Sequence, residues 1–265
     1  MEKGALATLL SDGVLIEAMD LARGPWDRGA LHGGPVSAIL GFALEAQDVA
    51  GSFVVARLTV ELERPVPPHQ PLMLSAAVIR PGRKVQLAEA LLRLDGKTVA
   101  RARALFIRRE GVEFPVTAAV VPEPAPVSGG TIQKPSMTTE YEAFHNVACE
   151  HRFVEGNWLD RGPVFVWVRL KVPVIAGVPV SPLQRVAAAA DFGNGVSGVL
   201  PWDGYTFINP DLTVYQDRPL EGDWVGMRAK SHVGPEGVGF AESELFDRQG
   251  RMGRSVQSLL LEQRP

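Results

Sequence analysis

The octapeptide Leu58-Thr59-Val60-Glu61-Leu62-Glu63-Arg64-Pro65 returns 154 residues later as Leu212-Thr213-Val214-Tyr215-Gln216-Asp217-Arg218-Pro219. The same offset, with no gap, pairs Met73 with Met227, Pro81 with Pro235 and Leu91 with Leu245, then Gly96 with Gly250 and Leu105 with Leu259. Convergent strand patterning can produce one such match, but a register kept over about 50 residues favours duplication. Duplication constrains the fold strongly, because both copies must build the same unit and bury its apolar face.

Composition supports two such units. The chain has 265 residues, of which 46% are hydrophobic, enough for one large domain or two of ordinary size. Between Glu110 and Pro135 lie Pro115, Pro122, Pro124, Pro126, Pro135 and the pair Gly129-Gly130. Prolines lack the amide donor and glycines lack backbone bias, so this stretch reads as a connection. The expected organisation is residues 1–110 as the first unit, 111–137 as a Pro/Gly-rich linker and 138–265 as the second.

Each unit reads as a helix followed by antiparallel strands. Leu58, Val60 and Leu62 alternate with Thr59, Glu61 and Glu63, the period of a half-buried strand. Asp95-Gly96 is a hairpin dipeptide that accepts positive φ, and Gln249-Gly250 occupies the corresponding place in the second copy. Upstream, residues 35–45 form an apolar run opened by Pro35, which suits a first helical turn. Apolarity on nearly every side implies a buried helix. Its counterpart begins at Pro182 and runs through Ala187 to Ala190. A buried helix wrapped by a curled antiparallel sheet is the hotdog arrangement, so the expected fold class is α+β, a double hotdog.

Other features exclude function classes. Net charge is −3, from 30 acidic and 27 basic residues, which leaves no basic footprint for nucleic acid. One cysteine, Cys149, excludes an internal disulfide framework and a cysteine metal cluster. The histidines are scattered without helical pairing, so no metal site is expected. No run approaches the ~18 apolar residues of a membrane span, and the N-terminus lacks a signal-peptide pattern. A cytoplasmic protein without membrane partners is expected. Gly193-Asn194-Gly195-Val196-Ser197-Gly198 fits a dinucleotide-binding spacing but follows a helix instead of a strand. Ser197 lies in Val-Ser-Gly and not in the Gly-x-Ser-x-Gly of a nucleophile elbow.

His32-Gly33-Gly34-Pro35, Asp191 at the end of the Ala-rich helix, Arg218-Pro219 and Ser255-Val256-Gln257 together resemble the type II (TesB-like) acyl-CoA thioesterases. The resemblance spans about Trp26 to Leu261. It implies hydrolysis of an acyl-CoA, a small-molecule substrate, without metal or redox cofactor. In that family Asp, Thr or Ser, and Gln orient a water. Asp191 and Gln257 match two of these positions; the hydroxyl position falls on Asn209, and Thr213, four residues further along, has the same parity on an extended strand, so either could face the site.

The chemistry suits these types. A carboxylate can accept the proton of an attacking water, and amides can hold that water. Gly34, assisted by Gly33, is the expected backbone oxyanion donor at the helix start, with His32 beside them as a candidate substrate contact. Blander roles stand beside these: Asp191 as a turn cap, Gln257 as an ordinary strand residue, Asn209 as a turn former and His32 as a structural hydrogen-bonding residue. His32 with Asp191 would equally make an acid–base pair for an acyl-CoA hydratase or dehydratase, provided they meet across the two units. A non-catalytic acyl-CoA binder is the third reading. A double hotdog already contains the paired sheets that single hotdogs obtain by dimerising, so a monomer stays open beside the dimer or higher oligomer that the family habit of further assembly implies.

Overall fold

A computed structural model describes residues 4–10, 14–48, 51–113, 126–135 and 140–264. The first half contains β1 (Ala7–Leu9), β2 (Leu15–Ala18), α1 (Gly33–Glu45), β3 (Phe53–Leu62), β4 (Pro71–Arg80), β5 (Val85–Leu94) and β6 (Lys97–Arg108). The second contains β7 (Thr131–Gln133), β8 (Cys149–Glu155), β9 (Val164–Leu170), α2 (Pro182–Ala190) and the single turn α3 (Gly193–Val196). It continues with β10 (Tyr205–Ile208), β11 (Asp211–Gln216), β12 (Trp224–Val233), β13 (Val238–Asp247) and β14 (Gly250–Gln263). All strands join one sheet in the order β1-β2-β4-β5-β6-β3-β11-β14-β13-β12-β9-β8-β7, with β10 beside β14. The sheet and its two buried helices form the expected double hotdog.

The two copies of the repeated octapeptide are each other's partners. In the antiparallel β3–β11 pair, Leu58 faces Val214, Thr59 faces Thr213 and Val60 faces Leu212. A pseudo-two-fold axis therefore passes between Thr59 and Thr213, whose hydroxyls are 3.4 Å apart. Leu58, Val60, Leu212 and Val214 are buried against the helices. The opposite face carries water-facing ion pairs such as Arg103–Glu89 at 2.9 Å.

Beyond the axis the copies slip by one residue. Arg64 N–H donates to Val99 O and Asp217 N–H to Met252 O, so the offset there is 153. The extra residue of the first copy falls at the end of β3. Consequently Met227, buried opposite Leu245, corresponds to Leu74, buried opposite Leu92, and Met73 is 45% exposed. The second hairpin turns on Arg248-Gln249, leaving Gly250 as the first residue of β14. Arg103 faces Thr59 and Val256 faces Thr213, so the counterpart of Gln257 is Ala104. The gap-free register expected from sequence is thus corrected. Side chains alternate with period two, so one inserted residue exchanges the inner and outer faces.

The helices lie antiparallel, as their end contacts show. Ser181 caps α2 by accepting from Gln184 N–H at 3.1 Å, and its hydroxyl donates to Glu45 at the end of α1 at 2.7 Å. At the other end, Asp191 after α2 meets His32 before α1. Helix α1 packs on β4, β5 and β6, and α2 on β9, β11 and β12. The halves also interlock at the N-terminus, where Leu6 N–H and Ala7 N–H donate to Pro173 O and Val174 O at 2.9 Å.

Part of the segment expected as linker is structured: Thr131–Gln133 pairs with β8 at the sheet edge. Residues 114–125 and 136–139 lie outside the described residues. Among those described, no helix is long and apolar enough to cross a membrane. A continuous sheet couples the halves energetically. Leu212→Ala should cost about 2–5 kcal/mol and shift one cooperative denaturant transition. Two separated transitions, only one of them shifted, would contradict that coupling.

Candidate active site

A cleft of about 410 Å³ opens where the start of α1 meets the end of α2, bordered by Trp26, Leu62, Trp202, Ile208 and Leu260. Asp191 lies in its floor and is only 3% exposed. Its Oδ2 is 2.7 Å from His32 Nδ1, and its Oδ1 accepts from Asn209 Nδ2 at 2.7 Å. The carboxylate is thus held from both halves and spent on them instead of on capping its own turn. It also faces the amide end of α1, whose dipole favours negative charge.

Gly33 is what admits the carboxylate. A Cβ on Gly33 would lie 2.8 Å from both Asp191 oxygens and 2.9 Å from Leu62 Cδ1. Gly33→Ala should therefore displace Asp191 and lower turnover while leaving the fold intact, which activity and circular dichroism measured together would check.

His32 Nδ1 also lies 3.1 Å from Gly34 N–H. One ring nitrogen cannot donate and accept at once. The shorter contact, to an acceptor-only carboxylate, places a proton on Nδ1, so Asp191 is its partner. His32 thus stands before the helix and also bonds the central carboxylate, the pairing across the two units that the sequence left open.

The other expected residues divide. Asn209 falls in the break between β10 and β11, just before Pro210, where it turns to Asp191 and to Asp211 O at 3.2 Å. The break defeats the expectation that Asn209 and Thr213 share a face. Thr213 sits on the pseudo-axis beside Thr59, on the side of the sheet away from the helices, and is not part of the cleft wall. Gln257 lies behind the cleft, 1% exposed, with Oε1 accepting from Asn194 N–H at 2.9 Å. Its Nε2 is 3.5 Å from Asp191 O. Gln257 thus braces the turn that carries Asp191 instead of reaching the cleft. Gly34 is buried, with its missing Cβ pointing 2.6 Å from Ala188 O, and Gly33 rather than Gly34 lines the wall.

Two features escape sequence reading. Trp26 and Trp202 pack at a tilt at 4.4 Å, from opposite halves, with Phe207 against both. Arg64 stands at the cleft and makes no ion pair among the described residues, whereas Arg218, its partner in the octapeptide match, bonds Asp247 at 2.7 Å. The slip at the end of β3 is the signal, since it puts Arg64 and Arg218 at different structural positions. Among the described residues no cluster of His, Cys, Asp and Glu could hold a metal.

Behind His32 lies an aromatic block in which Phe192 contacts both His32 at 4.9 Å and His151 at 4.6 Å. Burial above all, then the nearby His145, His32 and Lys171, lowers the His151 pKa to about 3. An unfolded histidine protonates near its ordinary value of 6.5. Between those values the unfolded state binds more protons, so His151 stabilises the fold fully above pH ~6.5 and progressively less toward pH ~3. The loss should be on the order of 5 kcal/mol. His151→Phe should flatten the acid limb of stability against pH in equilibrium denaturation.

Two family models match the chain in order: an acyl-CoA thioesterase N-terminal domain over residues 22–107 and an acyl-CoA thioesterase C-terminal domain over residues 115–261. Among solved structures, a protein of Thermobifida fusca YX assigned as a thioesterase II shares 18% identity at TM-score 0.72, covering 97% of this chain and 95% of that one. A conserved hot dog protein from Alicyclobacillus acidocaldarius shares 19% at TM-score 0.71, covering 97% and 96%. The acyl-CoA thioesterase II TesB2 from Mycobacterium marinum shares 15% at TM-score 0.65, again covering 97% and 96%. At these identities the likeness carries the fold. No curated protein sequence matches the chain.

Proposed function

The chain belongs to the acyl-CoA thioesterase family, and from that premise we propose that its cleft hydrolyses an acyl-CoA by direct attack of a water activated by Asp191. It is a thioester hydrolase of hot dog fold. The observation that supports this mechanism best is the buried carboxylate held at 2.7 Å by His32 and at 2.7 Å by Asn209 in the floor of an apolar cleft.

In the proposed route the water oxygen attacks the thioester carbonyl carbon while its proton passes to Asp191. His32 and Asn209 fix the carboxylate, so no reorganisation is needed as charge moves. The developing oxyanion lies toward Gly33, whose amide belongs to the unbonded first turn of α1. The C–S bond then breaks and the departing thiolate recovers the proton, giving free acid and CoA. Arg64 attracts the CoA phosphates at the mouth.

Release of free thiol from acyl-CoAs of graded length tests the reading. Asp191→Asn, verified as folded, should lose about 10²–10⁴-fold in kcat. Arg64→Ala should chiefly raise KM, and more so at low salt. Undiminished turnover by Asp191→Asn would remove Asp191 from the chemistry.

A second reading is supported by the His32–Asp191 contact, which supplies across the two halves the acid–base pair that hydration of a 2-enoyl-CoA needs. Loss of 2-enoyl absorbance without thiol release would favour it.

A further inference from the structure

Resting on the thioesterase reading, we propose that Trp202 is the partition that limits the length of the acyl chain, with Gly195 as the gap beside it. Both residues line the catalytic cleft, and both also line an adjoining pocket of about 310 Å³. The two spaces are separated where they share this wall. A substrate carbonyl at Asp191 sends its apolar arm along the aromatic side of the cleft, so that the arm ends against Trp202.

The wall is braced. Trp202 packs at a tilt against Trp26 at 4.4 Å and against Phe207 at 4.5 Å, and the Arg264 guanidinium sits 5.3 Å from the Trp26 ring. A side chain packed against two other rings is a fixed stop and not a freely turning one. Gly195 has the opposite character: a Cβ added there meets nothing within 4 Å. Bulk can therefore be removed at one position of the wall and added at the other. Beyond the wall, Trp158 and Leu200 offer apolar surface, with Asp160 and Arg161 at the outer side.

Thiol release should be measured with butyryl-, octanoyl-, dodecanoyl- and hexadecanoyl-CoA for wild type, Trp202→Ala and Gly195→Leu. In wild type, kcat/KM should rise with chain length and then level off or fall. Trp202→Ala should move that turning point to longer chains, with a gain of about fourfold per newly buried methylene. Gly195→Leu should move it to shorter chains. Gly195→Leu removes no packing, so it decides the matter should Trp202→Ala fail to fold. Superimposable length profiles for wild type and a folded variant would overturn the partition while leaving the thioesterase reading standing. Absence of thiol release from wild type with every substrate would overturn that reading and this inference together.

Discussion

The antiparallel pairing of β3 with β11 is the contact on which the rest of the structure depends. It converts two copies of one unit into a single sheet and sets the pseudo-two-fold axis at Thr59 and Thr213. An axis in that place makes the buried helices run antiparallel, so each helix start meets the other helix end. The cleft, the His32–Asp191 bond and the dipole environment of the carboxylate all follow from this one register.

The axis generates two such ends, and they differ: Asp191 lies in the floor of the cleft of about 410 Å³, while Glu45 borders a smaller pocket of about 190 Å³. At the other, Glu45 Oε2 accepts from Ser181 Oγ at 2.7 Å and from Gln184 Nε2 at 2.9 Å. Burial raises the Glu45 pKa against the opposing pull of these two bonds. Both donors converge on a single oxygen there and lock the helix ends together. At the first end the two donors take separate oxygens, and the aromatic wall of Trp26 and Trp202 holds space open beside them. The duplicated frame thus supplies a carboxylate twice, while local side chains decide whether it clamps or faces a ligand.

Much of the fold was legible because it rests on local patterns. Alternation marked β3, the Asp95-Gly96 turn placed a hairpin, and Pro182 with the alanine run marked α2. The repeat register was read one residue out after β3, because connection length leaves no mark in an alternating apolar pattern. That error hid the pairing of Gln257 with Ala104 and the different fates of Arg64 and Arg218. A resemblance pointed to Asp191 and Asn209, and the structure bonds the two to each other. Parity then failed for Thr213, since Pro210 interrupts the strand between it and Asn209. Gln257 was assigned to the water, but its amide is consumed in bracing Asn194 N–H.

The sequence by itself determined the duplicated α+β architecture, the two buried helices and a net charge close to balance. These depend on hydrophobic period, turn chemistry and net charge, which are properties of neighbouring residues. Only the tertiary structure decided that His32 and Asp191, 159 positions apart in the chain, meet at 2.7 Å, and that two tryptophans from different halves border one cleft. Hydrogen bonds and ring contacts act over a few ångströms, and no local pattern encodes which distant residues a closed sheet will bring within that reach.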